Sequence, residues 1–422
     1  MSLRIVITSF GSLGDLHPYL ALGQALQRRG HRPVLALPPS YGARVHAAGL
    51  EHAHVRPDAD LSDRDTVRRI MDPLRGAEFL VRQLLMPAVE QSYEDLARVA
   101  RGADLIVSHP LTFAAPVVAE SLGLRWVSSV LAPLGFFSRL DPPLMAVHPL
   151  MAALQRRLPR LYRGLIPTAR LATRTWAAPL HALRRRLGLP RGGDPVHEGQ
   201  FSPWGTLAMF SRVIAEPQDD WPPNTIVTGA LGHDQVHGTL PPALARFLDE
   251  GPPPVVFTLG SAAVAADRAP RFYRAALDAV DALGQRAVLL VGPHGASQLD
   301  RRHRPHVHVA EWAPHAALFS RAGVVVHQGG AGTLHAALAS GRPMLVVPFA
   351  HDQGDNAVRV QRLGVGRVVF PQRLDAAALR AALSALAGER HYALRASAVG
   401  RLVREERGDE SACNAIEAAS RP

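Results

Sequence analysis

The sequence predicts an α/β protein made of two doubly wound, parallel-sheet domains facing a cleft. Three observations predict it. Apolar β-branched runs alternate with helical patterns in both halves, the βαβ order that a parallel sheet requires. A strand runs into a glycine turn and then a helix in each half, at Gly11-Ser12-Leu13-Gly14 and at Gly329-Gly330-Ala331-Gly332. Between the halves, residues 231–254 are broken by Gly and Pro with a single helical patch, so they read as a linker. The 422 residues suit two domains of ordinary size.

In the first half, residues 3–9 are the opening strand. Residues 15–29 follow as a helix, with Leu16, Leu20, Leu22 and Leu26 on its apolar stripe. Gly30 ends that helix, and 32–37 is the second strand. A short helix at 41–48 and a short strand at 52–55 come next. Residues 66–101 are mostly helical, with breaks near Pro73 and Pro87. Strands at 103–108 and 125–130 enclose a helix at 112–122. Residues 131–150 are apolar and Pro-rich without a clear period, the pattern of a substrate-covering loop, and they carry Phe136, Phe137 and Met145. Residues 151–187 are Arg-rich and partly helical, and strands at 206–210 and 225–227 close the half. The second half repeats the alternation. Its strands are 255–259, 287–291, 307–310, 323–326, 344–348 and 366–370. Its helices are 269–283, 315–321, from 333 onward, 355–363, 376–387 and 392–404, with a last one at 411–419.

All 47 basic residues are Arg, and the net charge is +11. The Arg residues are spread along the chain with no aromatic-interleaved basic module, which argues against nucleic acid. The Arg-rich stretch fits a solvated helix face or peripheral contact with the inner membrane surface. Cys413 is the only cysteine, which fits a reducing cytoplasm. The start, MSLRIVITSFGSLGD, does not read as a signal peptide, and no apolar run is long enough to span a membrane.

The stretch 327–338, HQGGAGTLHAAL, is an anion site in outline. The first N–H groups of a helix lack partners and carry partial positive charge. Glycines let a diphosphate approach the backbone, and His327 stands at the strand end, placed to add a donor. A tight βα turn of any α/β protein would look the same.

Further signals follow in fixed order: Gly260-Ser261 after a strand, Trp312-Ala313-Pro314, and Pro348-Phe349-Ala350-His351-Asp352-Gln353 with Asp355-Asn356-Ala357 behind it. Together with GSLGDLHPYLALGQALQRRGH near the start, they resemble the nucleotide-sugar signature of family-one glycosyltransferases, which have the GT-B fold of two Rossmann-like domains. Ala178-Pro179-Leu180-His181-Ala182-Leu183-Arg184, Asp220-Trp221-Pro222 and His351-Asp352-Gln353 look most like bacterial lipid-directed members of the rhamnosyltransferase type. Sterol and antibiotic glycosyltransferases are more distant.

The resemblance implies an acceptor-binding domain over 1–235, a linker over 236–254, and a nucleotide-sugar domain over 255–405. Residues 406–422 would form a helix packing back on the first domain. The activity implied is inverting, metal-independent transfer of a hexose from a UDP- or dTDP-linked donor to a hydroxyl of an apolar acceptor. No cofactor is implied beyond that co-substrate. A nucleotide-sugar epimerase or a non-catalytic partner protein on the same fold are the alternatives. His327, Gly330, Ala331, Gly332 and Thr333 would hold the diphosphate, Ser261 would cap it, and Trp312 would stack on the base. Asp352 and Gln353 would bind sugar hydroxyls, with Asn356 supporting them. The apolar loop, through Phe136, Phe137 and Met145, would meet the acceptor. Asp15, three residues before Pro18, takes the place of the base, with His109 beside it to tune or relay and His17 a weaker candidate. Ordinary structural roles also fit these residues: helix capping for Asp15, Asp352 and Gln353, a buried core position for Trp312 and His109, and a plain turn for Ser261. His335 occupies the place where plant-type members carry a ribose-binding Glu, which weakens the case for UDP and leaves room for dTDP-sugars.

Overall fold

The computed structural model describes residues 2–59, 63–232, 238–264, 268–293, 295, 299 and 304–421. Among these, seven strands form one parallel sheet: β1 (Arg4–Thr8), β2 (Arg32–Leu37), β3 (Glu51–His54), β4 (Leu105–Ser108), β5 (Arg125–Val130), β6 (Thr206–Ala208) and β7 (Thr225–Val227). Their order is β3-β2-β1-β4-β5-β6-β7. Six more form a second parallel sheet: β8 (Val255–Thr258), β9 (Ala287–Leu290), β10 (Val307–Ala310), β11 (Val324–His327), β12 (Met344–Val346) and β13 (Gly366–Val368). Their order is β10-β9-β8-β11-β12-β13. The central strands are buried along their length, as helix-covered parallel strands must be. Strand order reverses between β1 and β4 and again between β8 and β11. Ligands of doubly wound sheets bind at the carboxyl ends of strands at such a reversal, and both glycine turns lie there.

The first helix, Leu13–Arg28, starts earlier than its apolar stripe suggests because Ser12 caps it. The Ser12 hydroxyl accepts from Gly14 N–H at 3.2 Å, and the Asp15 carboxylate accepts from Ser12 N–H at 2.7 Å. This is a capping box. The mostly helical stretch expected over 66–101 breaks as expected, into Arg64–Ile70, Gly76–Glu78, a wide turn at Phe79–Leu85, and Val89–Ala100. Pro73 and Pro87, which remove an N–H and clash with the preceding turn, stand at the breaks.

The last helix, Gly408–Ser420, lies on the first sheet's side of the molecule. Ala412, Cys413 and Ile416 fill the core that also holds Ile5, Leu22 and Val127. Arg29 bonds Asn414 and Glu417 at 2.6 and 3.1 Å, and His31 bonds Glu417 at 3.1 Å. Burial pushes the Cys413 thiol up to about 11, so it is an inert filler.

At Phe136 the apolar loop corrects the acceptor expectation. Phe136 is only 3% exposed and stacks on Trp221 at 4.1 Å, with Phe201 and Phe210 also against it. A ring enclosed in an aromatic cluster has no face left for an acceptor. Phe137 takes a left-handed backbone and meets His197 edge-on at 4.5 Å. Beyond them the chain forms a strap across to the second half. Leu144 N–H donates to Asp355 at 3.0 Å, Gln372 donates to the Val147 carbonyl at 3.0 Å, and Met145 N–H is held by Tyr162 at 2.8 Å. Arg359 binds Asp355 at 2.8 Å and Asp141 at 2.5 Å, and Arg362 binds Asp141 at 2.9 Å. The loop reads as apolar because it packs against the helix Gln353–Leu363.

Candidate active site

Pairing of Thr8 with Ser108 sets the loop after β1 beside the residue after β4. That register brings Asp15 and His109 together, Oδ1 to Nε2, at 3.6 Å. The His109 Nδ1 accepts from Leu111 N–H at 3.2 Å, so the ring proton of the neutral form sits on Nε2 and faces Asp15. Burial alone would raise the Asp15 carboxyl. The His109 hydrogen bond and charge, with the Ser12 donors, outweigh it and hold the group below its ordinary range. Gly11 is required here: a Cβ would lie 2.3 Å from the Asp15 carboxylate, and its φ is +144°. Asp15 thus caps its helix with one oxygen and presents the other to His109.

The glycine turn of the second half corrects the role expected of His327. Its ring is fully buried beneath the turn, where Nδ1 accepts from Gly329 N–H at 3.0 Å and Nε2 meets the Met344 sulfur at 3.5 Å. Burial, then the neighbouring His315, lowers it to about 3. It brings no positive charge and shapes the turn from below. The charge available is that of the helix Ala331–Ser340, whose start has no side-chain cap. Gly330 is its N-cap, so the N–H groups of Ala331, Gly332 and Thr333 stand at its open end. A Cβ on Gly332 would meet open space, while one on Gly329 would strike Val346 at 2.9 Å. Gln328, to which no sequence signal assigns a role, fills the gap between the two turns of this sheet. A Cβ on Gly260 or Gly330 would lie 2.3 or 2.8 Å from its amide nitrogen, and its buried carbonyl oxygen has no partner among the described residues. Ser261 is exposed in the short helix Gly260–Ala263.

Trp312, following β10, is 55% exposed, which a structural core tryptophan would not be. Asp352 does not cap its helix with its side chain. Its carboxylate accepts instead from Asn356, which also donates to the Gly329 carbonyl, at 2.9 and 2.8 Å. Asn356 therefore ties Asp352, at the start of the helix Gln353–Leu363, to the glycine turn. The Gln353 amide oxygen is taken by Phe349 and Ala350 N–H, which leaves only its NH2 for a ligand. Burial, then the charge of Asp15, pushes Asp352 up to about 7. His351 feels Asp15 as well, lies against the Ile70 carbonyl, takes a φ of 54° and has a buried Nε2 with no partner among the described residues. The two halves thus bring Asp15, His351 and Asp352 into one cleft. The sequence motif contains His351 but assigns it no role, because its strain and its position opposite Asp15 arise only when the halves meet.

Both nitrogens of His335 are engaged. Nδ1 donates to the Ala331 carbonyl at 2.7 Å, and Nε2 accepts from Ser211 N–H of the first half at 3.1 Å. Burial lowers this ring to about 4. Below its ordinary value of 6.5 the unfolded chain takes up a proton that the folded chain refuses, so its contribution to stability is lost as pH falls from 6.5 towards 4. Asp352, raised to about 7, works in the opposite sense. A comparison of variants cancels it. We expect a smaller drop in thermal midpoint between pH 7 and pH 5 for His335→Gln than for the parent, measured by differential scanning fluorimetry.

Residues 274–412 match the family described as erythromycin biosynthesis protein CIII-like, C-terminal domain. Along its whole length the chain is similar to O-mycaminosyltylonolide 6-deoxyallosyltransferase of Streptomyces fradiae, 31% identical over 98% of this chain and 97% of that one. Among solved structures, the glycotransferase of kitacinnamycin superposes with a TM-score of 0.73 at 24% identity, over 99% of each chain. The spinosyn rhamnosyltransferase SpnG complexed with thymidine diphosphate superposes with a TM-score of 0.69 at 19% identity, over 98% of this chain and 100% of that one. With that identity over the full length, and with the two sheets and the cleft between them, this chain belongs to the family-one glycosyltransferases of the GT-B fold, and it is a sugar-transferring enzyme.

Proposed function

We propose that the enzyme moves a hexose, with inversion and without a metal, from a nucleotide diphosphate sugar to a hydroxyl of an apolar acceptor such as a natural product or hydroxylated lipid. The observation that carries this reading is the cleft itself. A carboxylate held ionised on the first half faces, on the second, a sugar-binding motif joined to an uncapped helix start.

Asp15 takes the proton of the acceptor hydroxyl as that oxygen bonds to the anomeric carbon. The bond from that carbon to the diphosphate breaks on the opposite face, and its electron pair leaves with the nucleotide. His109, with its proton on Nε2, faces Asp15 and orients it. The N–H groups from Ala331 to Thr333 meet the charge that grows on the leaving diphosphate. Asp352 sits near its midpoint of ionisation, so it can accept from one sugar hydroxyl and, when protonated, donate to another.

We assign the donor to the thymidine series. His335 has no free nitrogen for a ribose diol, and a deoxyribose asks for one partner fewer. In a thermal-shift titration dTDP should raise the midpoint more than UDP at equal concentration. Trp312→Ala should weaken dTDP binding about tenfold by calorimetry, the loss of one base-stacking face. Nucleotide release that needs the acceptor, resists EDTA and gives product of inverted anomeric configuration by NMR is the expected result. Release without acceptor would sink the reading.

A further inference from the structure

Residues 149–176 form a lobe of three short helices, Pro149–Arg157, Pro159–Arg163 and Leu165–Thr173. Its inner side is anchored on the strap. Tyr162 donates to the Pro143 carbonyl and accepts from Met145 N–H, both at 2.8 Å, and Gln155 donates to the Pro142 carbonyl at 2.7 Å. Its outer side is unpartnered among the described residues. The first of these helices buries no residue. Leu150 and Leu171 are each 70% exposed, and Leu158 and Leu161 are also exposed. The same stretch carries six Arg and no Asp or Glu. Arg170 pairs with Glu198 from outside the lobe, and Arg163 reaches the Leu140 carbonyl. Arg156, Arg157, Arg160 and Arg174 are exposed and have no ion pair among the described residues.

We propose that this lobe docks the enzyme on an anionic lipid surface. Exposed leucines interleaved with unpaired guanidinium groups suit the boundary between headgroups and acyl chains, where each residue type finds its own medium. A second copy of the chain would set arginine against arginine. Nucleic acid would leave aliphatic side chains with nothing to stack on. Charge complementarity therefore selects a negatively charged bilayer. Docking would also have a route inwards, because the lobe rests on the strap that Arg359 and Asp355 hold against the sugar-binding helix.

The test is co-sedimentation of the full chain with phosphatidylcholine vesicles and with vesicles of equal parts phosphatidylcholine and phosphatidylglycerol. Binding to the anionic vesicles alone, released by half-molar salt, is expected. Arg156→Glu, Arg157→Glu and Arg160→Glu combined should lower partition about 100-fold. Leu158→Ser with Leu161→Ser should lower it about tenfold or more. Both variants should keep the parent's thermal midpoint and its turnover of a soluble acceptor. No sedimentation with anionic vesicles at low salt, equal sedimentation with neutral ones, or parent-like binding by both variants would overturn the proposal. So would binding to an acidic polypeptide such as polyglutamate with none to vesicles. Because the readout needs neither donor nor acceptor, it is independent of the assigned reaction.

Discussion

Asp15→Asn lowers kcat by about 10²- to 10⁴-fold, the usual range for losing a positioned base, while KM for the donor stays within a few fold. Asparagine keeps the shape and still accepts from Ser12 N–H, so the capping box survives in part and folding is largely kept. What disappears is the charge that His109 faces at 3.6 Å. His109→Gln should cost less, about tenfold to 100-fold, because it removes the orienting partner and leaves the base. The pH profile separates the two roles. The limb assigned to Asp15 in the parent should lie below the ordinary carboxylate range and should move up in His109→Gln, since the lowering contributed by the imidazole is gone. Near-parent turnover of Asp15→Asn with an unchanged circular dichroism spectrum would exclude Asp15 as the base.

The largest stability loss is expected at Arg359. Its side chain is 3% exposed, and it neutralises Asp355, which is 1% exposed, together with Asp141 on the strap. Arg359→Leu leaves two carboxylates without their cation in a buried seam and should cost about 3–5 kcal/mol in guanidinium unfolding. Replacing the charges together, as Arg359→Leu with Asp355→Asn and Asp141→Asn, should recover much of that loss, because no charge is then stranded. If the single and triple variants unfold alike, the ion network is not what holds the strap.

The contrast between these two sites shows what a sequence makes legible. Gly330 to Thr333 are read from local order, because a strand end, a turn and a helix start are contiguous along the chain, while the roles of Asp15 and Asp352 rest on the family resemblance. The placing of His109 near Asp15 came from the family resemblance, and the pairing of β1 with β4 gives it its physical reason. The strap was not legible. Its partners, Arg359 and Asp355, lie more than two hundred residues away on a helix of the other half. The apolar residues around Leu144 therefore looked like a surface waiting for an acceptor. His327 misled for a related reason. A histidine at a strand end beside glycines looks like a donor to an anion, and only the packing of Met344 against it shows that the ring has gone into the core.

The last helix has a consequence for how the molecule comes into being. A ribosome releases residues 408–420 after both sheets, yet Ala412, Cys413 and Ile416 complete the core of the half that was made first. Until they arrive, the nascent first half carries an open apolar groove beside its first helix, and the second half must fold while that groove waits. Closure of the first half therefore waits for residues made after the second, and loss of residues 408–420 would unsettle the older part of the molecule rather than the newer.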